Sequence, residues 1–209
     1  TDNCIISLAA SMKAKLVETQ QKRDARRARV TSITEATRAE TDKRAADGGG
    51  DSMTKEWVSH CLSKAIEGKR ATVLSELGCP LGPLSLQDHG SWYQEPHSGG
   101  LGWSFPCGLG MQLAEPDRLI VATMGDGSYM FSNPVACHQI AEALELPLLI
   151  LVLNNSEWGA VRRSVLDVYP QGYASRANDM PLVSLRPTPD FTKVAQASRA
   201  FATLVEKGS

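Results

Sequence analysis

A chain of 209 residues with a formal net charge of −1 and 42% hydrophobic residues has the composition of one ordinary globular domain with something attached. The near-neutral balance gives no footprint for nucleic acid or an anionic membrane, and no apolar run approaches a membrane span in length. Cys4, Cys61, Cys79, Cys107 and Cys137 include no Cys-x-x-Cys pair, and the start of the chain lacks a basic-then-apolar signal, so reduced thiols in a cytoplasm are expected.

In chain order, residues 1–50 come first. After Cys4-Ile5-Ile6, residues 13–46 are rich in Ala, Arg, Lys, Glu and Gln, all good helix formers, with almost no large apolar side chains after Val17. This predicts an exposed, charged helical connector or an unstructured tail. The basic cluster from Lys22 to Arg29 is flanked by acidic residues and reads as a solvated helix face. Gly48-Gly49-Gly50 ends the segment as a linker.

A second segment, 51–209, carries the folding pattern. Trp57, Val58, Cys61, Leu62, Ala65 and Ile66 mark one helical stripe behind the capping candidates 51–54. Ala71-Thr72-Val73-Leu74 predicts a short strand ending at Ser75-Glu76. Residues 78–100 are loop-like, and a helix is expected over 103–113 with Pro106 near its start. Leu119-Ile120-Val121-Ala122 and the run 148–153 predict two buried parallel strands. Between them, Asn133-Pro134 opens a crossover helix to about Leu146, with Val135, Ile140, Ala143 and Leu144 near one face, His138 read as structural and Cys137 as a buried packing residue. Residues 170–189 read as loop and 191–205 as a final helix. The fold class is therefore α/β, a three-layer, mostly parallel sheet flanked by helices and preceded by the charged connector.

The chemistry-bearing stretch lies at the ends of the last two strands. Gly125-Asp126-Gly127-Ser128 follows the first, and Asn154-Asn155 terminates the second. Ligands of open α/β sheets bind beyond the carboxyl ends of the strands. One carboxylate, one amide oxygen and a backbone carbonyl there form a hard donor set suited to Mg²⁺, and the glycines let backbone N–H groups approach a phosphate. Each piece alone also reads as an ordinary turn, since Gly, Asp and Asn are the usual turn residues.

Together, in this order and spacing, GDG and NN resemble the thiamine diphosphate signature. The chain is similar to the diphosphate-binding (PP) domain of thiamine diphosphate enzymes, in the branch with acetolactate synthase and benzoylformate decarboxylase. Upstream, Ser98-Gly99-Gly100-Leu101-Gly102-Trp103, then Pro106, Gly110 and the run 112–118, resembles the stretch that leads into GDG in that family. Two departures stand out. The GDG-to-NN segment is a couple of residues longer than in the best-known members, and Ser75-Glu76-Leu77-Gly78 lacks the hydroxyl some members place there for the phosphates.

The resemblance implies a cofactor, thiamine diphosphate with Mg²⁺, and a reaction on a small 2-oxo acid, either decarboxylation or carboligation. It implies metal coordination by the side chains of Asp126 and Asn155 and the backbone carbonyl of Glu157. Cofactor contacts are implied for Ser98, Gly99, Gly100, Leu101, Gly125, Gly127, Ser128, Trp158 and Gly159, with Leu101 as the apolar wedge that bends the cofactor. No catalytic residue is expected in this chain beyond His97. That histidine either shuttles a proton near the thiazolium or bonds loop backbone, and His89 is assigned no chemistry. Arg162 or Arg163 either attracts an acidic substrate or faces solvent. In the family a glutamate from a pyrimidine-binding domain activates the cofactor, so this chain alone is expected to be inactive and to act with that domain, in a homo-oligomer when full length. Residues 51–209 are expected to form the PP domain without its last strand. Three arrangements remain open: a piece of a longer decarboxylase or synthase, a separate PP subunit of a heteromeric oxo-acid decarboxylase or oxidoreductase, and a non-catalytic binding or assembly protein that keeps the fold.

Overall fold

A computed structural model describes residues 2–96, 98, 100–177 and 179–208. Two compact units divide the chain, Thr1–Lys43 and Arg44–Ser209. The first consists of α1 (Asp2–Glu18) and most of α2 (Gln20–Ala46), so the helix-forming composition is expressed as helix. Ile5, Ile6, Leu8 and Met12 of α1 are exposed. At the junction of the two helices the Arg23 guanidinium donates to the Leu16 carbonyl at 2.8 Å.

The second unit contains α3 (Lys55–Ala65), β1 (Ala71–Glu76), β2 (Trp92–Gln94), α4 (Ser104–Ala114), β3 (Leu119–Gly125), α5 (Asp126–Phe131), α6 (Pro134–Ala143), β4 (Leu148–Leu153), α7 (Gly159–Val168), α8 (Tyr173–Arg176) and α9 (Phe191–Gln196). Its four strands are all parallel, in the order β2-β1-β3-β4. After β1 the chain moves to one side to make β2, then returns to the other side to make β3. The point of reversal lies between β1 and β3, the place beyond the strand ends where open α/β sheets bind ligands. Glu76 pairs in register with Met124, and Gly125 with Leu153, so the three strands finish almost level.

Alternation along β1 and β3 sends side chains to two separate cores. Ala71, Val73 and Val121 pack on one face with Leu62 and Ile66 of α3, while Ala122 and Met124 pack on the other with Phe105 and Leu109 of α4, Tyr129 of α5 and Cys137 of α6. This is the expected three-layer α/β arrangement. α4 packs directly on the sheet at Gly108, where a β-carbon would sit at ordinary contact distance, 3.5 and 3.6 Å, from Leu74 and Ile120.

Several local expectations are corrected. The inner face of α3 is Ser59, Leu62 and Ile66; Cys61 and Ala65 point to solvent. A polar residue displaced the stripe, since the Ser59 hydroxyl satisfies itself inside by donating to the Pro80 carbonyl at 3.0 Å. In α6, Val135, Ile140, Ala143 and Leu144 are exposed and the buried residues are Cys137 and His138. His138 enters the core because its Nε2 lies 2.7 Å from the Tyr129 hydroxyl, which an apolar criterion does not register. Asn133 precedes Pro134 at the helix start but adopts φ 54° and makes no side-chain cap bond. The 78–100 loop contains β2, three residues paired with β1, too short to show a period. The last helix stops at Gln196 instead of 205: Arg199 turns the backbone at φ 57°, its guanidinium pairs with Glu142 of α6, and Phe201, Leu204 and Val205 beyond it are exposed.

Candidate functional site at the carboxyl edge of the sheet

Gly125 ends β3 in extended conformation and Asp126 begins α5 directly, so GDGS is the first turn of a helix and not a free loop. An acidic residue at a helix start is favoured by the backbone N–H groups gathered there. The helix is seated by Tyr129, 2% exposed, which packs against Phe105, His138 and Phe191. Burial pushes the Tyr129 phenol up to about 12 and moves the His138 imidazole below its usual value.

Asp126 is only 2% exposed, and its Oδ2 is buried without a hydrogen-bond partner. Burial raises its carboxyl above the ordinary range; the backbone amides of Gly127, Ser156 and Asp126 itself oppose that shift, and the Glu157 carboxylate adds to it. Ser156 and Glu157 lie just past the end of β4, so the strand ends bring the two halves of the motif within electrostatic reach of each other. A buried carboxylate oxygen left unpaired destabilises a fold. A divalent cation with hard oxygen preferences would satisfy it.

The β4 end is built differently. Asn154 and Asn155 are exposed, Ser156 sits at φ 59°, and each asparagine oxygen accepts an amide two residues on: Ser156 N–H to Asn154 Oδ1 at 2.9 Å and Glu157 N–H to Asn155 Oδ1 at 3.1 Å. The Glu157 carbonyl accepts from Gly159 N–H at 2.8 Å and, like the Asn155 oxygen, keeps a second lone pair. Residues 156–158 are held from outside by 183–185, through Trp158 N–H to the Val183 carbonyl (2.8 Å) and Leu185 N–H to the Ser156 carbonyl (2.9 Å). The Trp158 ring closes the gap between the halves. It lies so near Gly127 that a β-carbon there would stand 2.3 Å from its Cζ3, and it meets Phe131 edge-on with centroids 5.6 Å apart.

Leu101 is 44% exposed, in a turn that packs against the end of α5. Ser98 and Gly100 are exposed, and Gly100 faces open space, as does Gly125. His97 and Gly99 lie outside the described residues. Arg163 points outward and pairs with Asp167 at 3.5 Å, whereas Arg162 lines a polar cavity of about 90 Å³ with Glu157, Ser175, Asp179 and Ser184. Among the described residues no three His, Cys, Asp or Glu side chains cluster as a metal site. Among the described residues the one acidic side chain buried at this edge besides Asp126 is Glu76, at the end of β1, whose carboxylate accepts N–H groups from the Leu101 turn. Its only signal in the sequence was a charge closing an otherwise apolar and hydroxyl-bearing strand.

Residues 78–208, more than half of the chain, match the family model for the thiamine pyrophosphate enzyme, C-terminal TPP binding domain. The chain belongs to that family. A probable 2-ketoarginine decarboxylase of Pseudomonas aeruginosa is 32% identical over 95 residues, covering 44% of this chain and 17% of that protein. The mitochondrial acetolactate synthase catalytic subunit of Saccharomyces cerevisiae is 28% identical over 167 residues, covering 76% of this chain and 22% of the relative. The chain thus spans about a fifth of the length of these curated relatives. Among solved structures, a Rhodococcus jostii thiamine diphosphate-dependent 4-hydroxybenzoylformate decarboxylase has the same fold, with a TM-score of 0.59 and 24% identity over 73% of this chain and 27% of that one.

Proposed function

We propose that this chain is the diphosphate- and Mg²⁺-holding half of a thiamine diphosphate-dependent enzyme that decarboxylates or ligates small 2-oxo acids. The observation that carries the reading is Asp126: a buried carboxylate with an unpartnered oxygen, at the point where the strand order reverses, in a family of thiamine pyrophosphate-binding domains. Asp126, Asn155 and the Glu157 carbonyl would hold the Mg²⁺. Gly125, Gly127, Ser128, Ser98, Gly100, Trp158 and Gly159 would line the place of the diphosphate, with Leu101 as the apolar contact to the cofactor and Gly99 added by resemblance. Open space at Gly125 and Gly100 supports this placement. Bound thiamine diphosphate supplies the electron sink for making or breaking the bond next to the substrate carbonyl. The protein side of the chemistry is positioning, charge compensation and exclusion of water by Trp158. Arg162 lines the polar cavity beside Glu157 and is placed to meet a substrate carboxylate.

Residues 51–209 serve as the binding domain and 1–50 as the connector. A pyrimidine-binding domain, of the same or another subunit in a cytoplasmic oligomer, completes the active centre, so the chain alone turns over no substrate. Kinetics with 2-oxo acids, for the chain alone and after adding a pyrimidine-binding domain, test this. Activity that appears only with the second domain supports the reading, and full activity without it refutes the shared centre.

A further inference from the structure

Glu76 is 2% exposed at the carboxyl end of β1. Its two carboxylate oxygens divide between two backbone amides of one turn: Oε1 accepts from Gly102 N–H, and Oε2 from Ser104 N–H at 2.9 Å. Ser104 is the first residue of α4, so the negative charge also sits at a helix start, where it is favoured. A carboxylate is an expensive way to end a buried strand, because its desolvation must be offset by donors this well placed.

The other side of the same turn is closed as well. Gly102 has φ 88°, and a β-carbon on it would stand 2.6 Å from the Phe131 carbonyl carbon and the Ser132 nitrogen at the end of α5. Backbone cannot yield there. The turn is therefore held between the Glu76 carboxylate and the α5 terminus, and its apolar residue Leu101 is left 44% exposed at the carboxyl edge of the sheet. A large apolar side chain held out to solvent by a buried charge and a glycine-only conformation is the mark of a preorganised contact.

We propose that Glu76 is a positioning residue for cofactor binding: it fixes the turn that sets Leu101 under the cofactor. This rests on the cofactor reading above. The test uses the whole chain as Glu76→Ala, Glu76→Gln, Leu101→Ala and the double variant Glu76→Ala with Leu101→Ala, with two readouts.

The first is amide hydrogen exchange by NMR. Glu76→Ala should speed exchange at Gly102 and Ser104 by more than about tenfold while Val121 and Ala122 in β3 stay within about twofold; Glu76→Gln, which keeps one acceptor oxygen, should fall between. Unchanged exchange at Gly102 and Ser104 overturns the proposal. Should Glu76→Ala unfold, Glu76→Gln carries the same comparison.

The second is calorimetric titration with thiamine diphosphate and Mg²⁺. Glu76→Ala and Leu101→Ala should each weaken binding about tenfold, and the double variant should bind no worse than either, because Glu76 acts through Leu101. Additive losses would show Glu76 to be structural only and overturn the positioning role. Absence of Mg²⁺-dependent binding by the unaltered chain would instead overturn the cofactor reading, and the positioning role with it, while exchange would still report whether Glu76 pins the turn.

Discussion

The two strand ends that carry the motif are constructed in opposite ways. At the end of β3 the Asp126 carboxylate is buried at the start of a helix, over a core of Phe105, Tyr129 and Met124, and its Oδ2 has no protein hydrogen-bond partner. At the end of β4 the asparagines are exposed, occupy their own oxygens with local amides, and depend on 183–185 to hold the chain in place. One half is fixed by the fold before any ligand arrives; the other is a loop with ligand-type atoms on a surface. The buried carboxyl belongs on the rigid half, since a buried polar group keeps its geometry only where packing determines it.

Breaking the buried half should cost most. Phe105→Ala removes a side chain that is 1% exposed and stacked on Tyr129, and should destabilise the domain by about 4 kcal/mol in urea unfolding. Gly78→Ala comes next, because its β-carbon would stand 2.4–2.5 Å from the backbone of Thr123; a loss of about 2 kcal/mol is expected in the same measurement. Substitutions at the strand ends should separate binding from folding. Gly125→Ala meets nothing within 4 Å and Asn155 is exposed, so Gly125→Ala and Asn155→Ala should each change stability by less than about 0.5 kcal/mol while weakening Mg²⁺-dependent binding of thiamine diphosphate in calorimetry.

The smallest effect is one of pH. Burial lowers the folded pKa of His138 below its ordinary 6.5, so the unfolded chain takes up the proton first. Stability from this group is present above about pH 6.5 and is lost as pH falls through the lower, folded value. Thermal unfolding of His138→Gln should therefore fall less steeply than the parent between about pH 7 and pH 5; identical slopes would mean the histidine titrates normally.

The contrast also explains what was legible beforehand. GDG and NN are legible because Gly, Asp and Asn close apolar strands; the run 119–122 is buried as its composition predicts, whereas 148–153 forms an edge strand that is only partly covered, with Leu149 exposed. Glu76 was not readable as a pin for Leu101, since its partners are backbone amides 26 and 28 positions away and an amide has no sequence identity. The apolar stripes of α3 and α6 mislead for a related reason: Ser59 and His138 are polar, yet each finds a buried partner, and periodicity weighs only apolar residues, while the expected burial of Cys137 and the structural reading of His138 hold. Resemblance alone puts Trp158 beside the diphosphate, whereas its contact with Gly127, which joins the two halves, depends on the folded path of 156–158 and has no signal in the sequence.

The central claim is that the buried Asp126 carboxylate is the anchor of a metal-diphosphate site. Calorimetric titration of the chain and of Asp126→Ala with thiamine diphosphate, with and without Mg²⁺, tests it most directly. The account predicts binding by the chain that requires Mg²⁺ and is abolished in a folded Asp126→Ala. Equal binding by that variant would contradict the account and leave GDG and NN as scaffold.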